Sequence, residues 1–337
     1  MELKVTTDIN KINKKKWADF VYHHPQGNIF QTPEMYEVYE NTKNYQPIFV
    51  SVIDEKDEIL GVLLAVVQRE YRGLIGDLSA RSIIWGGPLV KDNNLKVFKL
   101  ILREYNKIAK KKAIYSQFRN LWDMQKFKDI FDDFGYYYEE HLNIIIDLRK
   151  SEELLWKEVH SKRRNEIRRA LKEKTFVQEL KKIGGVEKAY QILYEVYKYA
   201  NLPIADLSLF KSAFQVLGPK KMIKYFGAFN GNEFIGVICI LAYRGTLYDW
   251  YAGSLKKHLN KYPNDLLPWE VFKWGKENGY TVFDFGGAGK PDEEYGVRDY
   301  KKKFGGQLAN YGRFEKIHQP VKFKVAKAGF KLWQKVK

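Results

Sequence analysis

Lys301 lies in the run Tyr300-Lys301-Lys302-Lys303-Phe304-Gly305-Gly306, between an aromatic residue and a glycine pair. An ammonium fixed at such a place, near a reacting carbonyl, would stabilise the oxyanion that develops during acyl transfer. The segment it can face is just upstream. Tyr280-Thr281-Val282-Phe283-Asp284-Phe285-Gly286-Gly287 reads as a strand running into glycines, where a substrate can approach the backbone closely. Asp249, in Asp249-Trp250-Tyr251-Ala252-Gly253-Ser254, and Asp284 are the carboxylates on the flanking strands. Each can act as a general base or serve as a capping or sheet-end residue, and an amine that arrives neutral needs no base. Lys301 is therefore the candidate catalytic residue. Trp250, Tyr251, Asp284, Gly286, Gly287 and Phe304 are the candidate substrate-binding residues.

A second constellation is basic: Lys162-Arg163-Arg164, Arg168-Arg169, Lys172 and Lys174. On a helix these residues cover most of the circumference, with Ile167 and Leu171, four apart, as the buried edge. The run is either a solvated face or a phosphate-tracking surface for RNA or a nucleotide-linked substrate, through Lys162, Arg163, Arg164 and Arg168. Other chemistries find no residues to carry them. The six histidines show no i, i+4 zinc pairing, and one cysteine cannot build a thiolate site. Cys239, between Ile238 and Ile240, reads as core. Gly286-Gly287-Ala288-Gly289-Lys290 lacks P-loop spacing, and no Gly-x-Ser-x-Gly elbow occurs. Neither a metal nor a cofactor is expected.

The elements that must position Lys301 are legible around it. Asn264 is placed to cap a helix running to Asn278, and Gly279 to end it in the left-handed conformation. Leu266, Leu267, Val271, Phe272 and Trp274 leave little of that helix polar, so it should pack on a sheet. Upstream, Ile48 to Ile53 and Ile59 to Val67 read as a hairpin, as do Ile223 to Phe229 and Phe234 to Ala242. Glu58-Ile59-Leu60-Gly61-Val62-Leu63-Leu64 aligns without a gap on Glu233-Phe234-Ile235-Gly236-Val237-Ile238-Cys239. A helix follows in each half, so the order of elements argues for duplication. Ile144 to Leu148 should be a strand closing the first sheet. The 337 residues, 45% hydrophobic, thus divide into two α/β (α+β) halves with mixed sheets. The net charge of +17 favours anionic partners, and a single cysteine fits a reducing compartment. The N-terminus lacks a signal-peptide core, which points to a cytoplasmic protein. In the tail, Val325, Ala328, Leu332, Trp333 and Val336 mark an apolar stripe with lysines around it, suited to packing on the first half or lying on anionic lipid.

These segments resemble the Fem family of peptidyltransferases, in the compact form without a helical arm. The likeness rests on Gly27-Asn28-Ile29-Phe30-Gln31-Thr32-Pro33, Trp85-Gly86-Gly87-Pro88, Tyr251-Ala252-Gly253-Ser254, residues 263–287 and the Lys301 run. It implies two tandem acetyltransferase-like (GNAT-like) subdomains, 1–148 completed by 318–337, and 149–317 with the active site. It further implies an aminoacyl-tRNA donor and an amine acceptor on a muropeptide or lipid-linked envelope precursor, at the inner face of the membrane. Lys301 falls on the family's charge-stabilising lysine, and Tyr251 near a substrate-binding tyrosine. Ala200-Asn201-Leu202-Pro203-Ile204-Ala205-Asp206 lacks the arginine that compact members use on substrate phosphate. The competing reading is a CoA-dependent N-acyltransferase acting on an amino sugar. The Arg/Gln-x-x-Gly-x-Gly/Ala loop that would hold CoA pyrophosphate is absent, and Pro263-Asn264 stands in its place.

Overall fold

The computed structural model describes residues 2–70 and 73–336, and gives backbone alone at 73–75 and 330–336. The first half of the chain runs β1 (Lys4–Thr6), α1 (Lys14–His23), α2 (Pro33–Glu40), β2 (Tyr45–Ile53), β3 (Ile59–Gln68), α3 (Gly73–Ser79), β4 (Arg81–Trp85), β5 (Leu89–Val90), α4 (Leu95–Lys112), β6 (Tyr115–Arg119), α5 (Lys128–Asp133), β7 (Tyr137–Glu139) and β8 (Leu142–Asp147). The second runs α6 (Glu152–Glu158), α7 (Ser161–Lys172), β9 (Thr175–Glu179), α8 (Ile183–Tyr199), α9 (Leu207–Leu217), β10 (Ile223–Asn230), β11 (Glu233–Tyr243), β12 (Thr246–Ser254), α10 (Pro263–Glu277), β13 (Val282–Gly287), α11 (Gly296–Lys302), β14 (Gln307–Asn310), β15 (Arg313–Ile317) and α12 (Pro320–Val336).

Two mixed sheets result. The first has the order β1-β2-β3-β4-β6-β15-β7, with β5 beside β3, and the second β9-β10-β11-β12-β13-β8-β14. Place by place the orders correspond: an antiparallel hairpin in the middle (β2–β3, β10–β11), then one parallel pair (β4–β6, β12–β13). The gapless sequence match falls on β3 and β11, so the internal repeat is structural. Each core lies between sheet and helix. Phe98, Ile101, Leu102 and Tyr105 of α4 pack in the first, and Leu266, Leu267, Val271 and Phe272 of α10 in the second. Each such side chain contributes about 1.5–3 kcal/mol by leaving water.

One strand is not where the sequence suggested. β8 does not close the first sheet. It lies between β13 and β14 in the second, while β15 takes the equivalent place in the first. Leu142, Ile144 and Ile146 point into the second core, and their alternation would satisfy either sheet. The compact units are accordingly Met1–Glu140 with Tyr311–Lys337, and His141–Asn310, with boundaries several residues from those expected. The Asn28–Gln31 segment is explained by the first unit's own architecture. The buried Gln31 amide donates to Leu64 O (3.0 Å) and Trp85 O (2.8 Å), and its oxygen accepts Leu64 N–H (2.8 Å). Asn28 donates to Gly86 O (2.8 Å).

Candidate active site

β12 and β13 pair in parallel at Thr246↔Val282, Leu247↔Phe283 and Tyr248↔Asp284, and no further. The two strands part there for local reasons. Against β11, Tyr251 faces Cys239 and Asp249 faces Ile240, so Trp250 is an extra residue. Such a bulge sharpens the twist and re-aims side chains. β13 is irregular against β8 between Asp284 and Gly287, where Gly286 has φ +69°. A residue with a Cβ is strained in that left-handed conformation.

α11 brings Lys301 to the parting. Its ammonium donates to Phe285 O (2.6 Å) and Gly287 O (3.0 Å), leaving one N–H for another acceptor. Burial pulls the Lys301 pKa down, while the Asp249 and Asp284 charges pull it back up. Behind it, Phe304 is 1% exposed and packs on Phe272, Phe285 and Tyr300, so this expected substrate contact is core. The chain turns away through Gly306 (φ +84°), where a Cβ would stand 2.6 Å from Ile145 O.

The two carboxylates differ in their partners. Asp284 is committed: one oxygen accepts Gly286 N–H (2.7 Å), and Asn143 donates to both (3.2 and 3.3 Å). Burial raises its pKa, and those bonds and Lys301 oppose the rise. Asp249 accepts no side-chain hydrogen bond among the described residues. Its pKa is raised to about 6, by burial first, with Lys301 lowering it and Asp284 raising it. Tyr251 and Trp250 form a wall with Phe210 of α9 (ring centroids 4.8 and 5.9 Å) and, for Tyr251, Tyr197 of α8 (5.9 Å). Asn143, Tyr197 and Arg298 were not legible as site residues in the sequence. Arg298 donates to the carbonyls of Ala288, Lys290 and Glu293, and so fixes the loop after β13.

The basic run divides in two. Arg163 is 7% exposed, ion-paired with Asp265 of α10 and with Glu166 (3.2 Å), and lies over the rings of Tyr300 (4.7 Å) and Phe304 (4.9 Å). It is a clamp on the Lys301 segment and lies away from the basic face. The buried edge of α7 is Arg163, Ile167 and Ala170, whereas Leu171 is 54% exposed. Arg164 Nη1 caps the end of α6, at Trp156 O, Lys157 O and Val159 O. Lys162 and Arg168 are exposed, and Arg168 rests over Trp156 (5.4 Å). Asn264 also differs from expectation. The cap of α10 is Tyr262 (φ 54°), whose side chain makes no capping bond, and Asn264 O instead accepts the Tyr300 hydroxyl (2.5 Å).

Residues 161–302 match the acetyltransferase (GNAT) domain family, which takes in α7, both carboxylates and Lys301. The crystal structure of FemX covers 97% of this chain and 100% of its own, with TM-score 0.71 and 17% identity. This is a tandem GNAT fold, and the chain resembles the Fem family. A tandem GNAT protein from the clavulanic acid biosynthesis pathway aligns over 94% of this Fem-like chain with TM-score 0.57 and 8% identity. A lipid II:glycine glycyltransferase of Staphylococcus saprophyticus is 29% identical over 121 residues, 32% of this chain and 29% of the relative. The Fem-like chain therefore spans under a third of the length of the curated relatives it matches.

Proposed function

We propose that the protein is a Fem-type aminoacyltransferase. It takes an aminoacyl group from an ester on tRNA and passes it to an amine of a peptidoglycan or other cell-envelope precursor. The observation that carries this reading is the Lys301 ammonium, held on two carbonyls where β12 and β13 part, beside an Asp249 carboxylate with no hydrogen-bond partner among the described residues. The acceptor nitrogen attacks the ester carbonyl, and the remaining N–H of Lys301 stabilises the tetrahedral oxyanion. Asp249 takes the proton of the amine and returns it to the ribose oxygen as the C–O bond breaks. The lipid II:glycine glycyltransferase relative supports an amine acceptor of this class. The start of α10 argues against CoA as donor. Pro263 has no N–H, and the amides of Asp265 and Leu266 are spent on Tyr262 O, so the helix start offers few free donors to pyrophosphate.

The reading places the enzyme at the inner face of the membrane, where a lipid-linked acceptor resides. No helix among the described residues is long and apolar enough to cross a membrane. In α12, Val325 and Ala328 are exposed rather than packed, together with Lys322, Lys324 and Lys327, which suits contact with anionic lipid. Phe323 makes the inward contact, its ring 5.5 Å from Tyr115. The stripe residues Leu332, Trp333 and Val336 lie outside the described side chains.

The test is to incubate the pure chain with labelled aminoacyl-tRNA or with labelled acyl-CoA, each with envelope precursors. Transfer from tRNA alone is expected. Transfer from acyl-CoA alone would replace the reading with the CoA-dependent one.

A further inference from the structure

The first sheet has no opening like that of the second. β4 and β6 stay paired over all five residues, from Arg81↔Tyr115 to Trp85↔Arg119. Where the second sheet parts to admit Lys301, the first carries an arginine. Arg119 is flanked on the other side by Arg313 of β15, directly across the strand. Like charges placed opposite each other in a sheet are destabilising, and Glu139 of β7, which faces Arg313 from the other side, offsets that cost at Arg313 but not at Arg119.

The surroundings only partly offset the charge of Arg119. Its guanidinium lies over the Trp85 indole (5.3 Å), and Nε donates to Gln117 Oε1 (2.6 Å). Glu315, a carboxylate on the same face, is engaged elsewhere. One of its oxygens accepts from Gln117, and the other from the Tyr137 hydroxyl (2.6 Å). Arg81 is paired with Glu70 (3.3 Å). Among the described residues, no carboxylate is within ion-pair distance of Arg119, and its two terminal nitrogens have no acceptor. Burial first, then Arg313 and Arg81, pull its pKa well below the usual arginine value. Arg119 is half-buried rather than enclosed, so its unpaired fork is open to a ligand from solvent.

We propose that Arg119, with Arg313 beside it, forms an oxyanion-binding site in the first unit, its free fork gripping two oxygens of a phosphoryl or carboxylate group. The planar guanidinium is already fixed by Trp85 and Gln117, so binding loses little side-chain freedom. Binding here is measured without turnover, so its outcome is distinguishable from that of the transfer reading.

Calorimetry with pyrophosphate and, separately, succinate on the full chain is the experiment, with Arg119→Met and Arg119→Lys as variants. Lys96→Met removes the same charge from an exposed surface and serves as control. At least one ligand should bind wild type and Lys96→Met alike and bind Arg119→Met at least tenfold more weakly. Arg119→Lys, which keeps the charge but loses the fork, should also be weaker than wild type. Pyrophosphate alone binding identifies a phosphoryl ligand, and succinate alone a carboxylate one. Without ligand, Arg119→Met should melt close to wild type, since no ion pair of Arg119 is lost among the described residues. Failure of both ligands to bind wild type, or equal binding by wild type and Arg119→Met, overturns the proposal. So does a lower melting temperature in Arg119→Met with ligand binding unchanged.

Discussion

Asp249 and Asp284 feel the same ammonium, yet only Asp249 is free to take a proton, and its raised pKa makes the role measurable. Turnover is expected to rise with pH through about 6 and then level off. Asp249→Asn should lower kcat by about 100- to 10,000-fold and erase that limb. A profile unchanged in shape would remove Asp249 as base. The same shift has a consequence for stability, with the opposite sign to a salt-bridged carboxylate. The folded pKa, about 6, lies above the ordinary 3.8, so the folded state holds its proton longer than the unfolded chain. Wild-type stability therefore falls as pH rises from about 4 to 6, by an amount on the order of 2–3 kcal/mol. Asp249→Asn should be more stable than wild type at pH 7.5 in urea titrations, with the advantage gone by pH 4. Lys301 makes the complementary prediction. Lys301→Ala should cost about 100- to 1000-fold in kcat with KM little changed. Near wild-type turnover would take Lys301 out of the mechanism. That Lys301 faces the end of the strand leading to Gly287 was legible in the sequence, from the aromatic before it and the glycine pair after it. The choice between the carboxylates was not, because it depends on Asn143 and Gly286 N–H occupying Asp284.

Among the elements, α7 shows why a charge run is read poorly from sequence. Helical spacing gave Ile167 correctly as buried edge, but assigned Leu171 to the core and Arg163 to the surface. The reversal follows from chemistry on the neighbouring helix. Asp265 is buried on α10 and needs a cation, while Tyr300 and Phe304 offer faces on which a guanidinium can lie. Through those rings Arg163 fixes the segment bearing Lys301, so it is a positioning residue. Arg163→Met alone should destabilise the fold by about 3–5 kcal/mol, because Asp265 is left buried and unpaired. The double variant Arg163→Met with Asp265→Leu should recover most of that loss. Its kcat should remain down by about 10- to 100-fold at unchanged KM, since the ammonium is no longer held in place. Recovery of both stability and kcat would make the clamp purely structural. The outward residues of α7 carry a separate prediction. Reversing Lys162, Arg168 and Lys172 to glutamate should weaken tRNA binding and flatten its dependence on salt, by about 0.7–0.9 in log–log slope per lost phosphate contact. An unchanged slope would leave α7 a solvated face.

At the scale of the whole molecule, the duplication was visible because a hairpin with a gapless match recurs, but the strand placement was not. β8 and β15 hold equivalent places in the two sheets, and nothing in an alternating run of isoleucines says which open edge it will join. Only the second sheet parts at its parallel pair, which is why the transfer chemistry is assigned to one unit despite the repeat. The net charge of +17 is the remaining global feature, and α12 concentrates part of it. The structure changes the argument for that helix. Were Val325 and Ala328 packed inward, the lysines alone would face outward and any lipid contact would be electrostatic. Val321 (76% exposed) and Val325 (54%) instead stand in solvent beside Lys322, Lys324 and Lys327, so apolar and basic side chains can meet an anionic surface together. Each lysine near such a surface contributes about 1 kcal/mol, and the valines add a part that salt does not screen. In vesicle sedimentation, the protein should pellet with anionic but not neutral lipid at low salt. Lys322→Glu with Lys324→Glu and Lys327→Glu should abolish the binding. Val321→Ser with Val325→Ser should weaken it mainly at high salt, where the electrostatic share is already screened. Equal recovery with neutral and anionic vesicles at low salt would rule out the membrane role of α12.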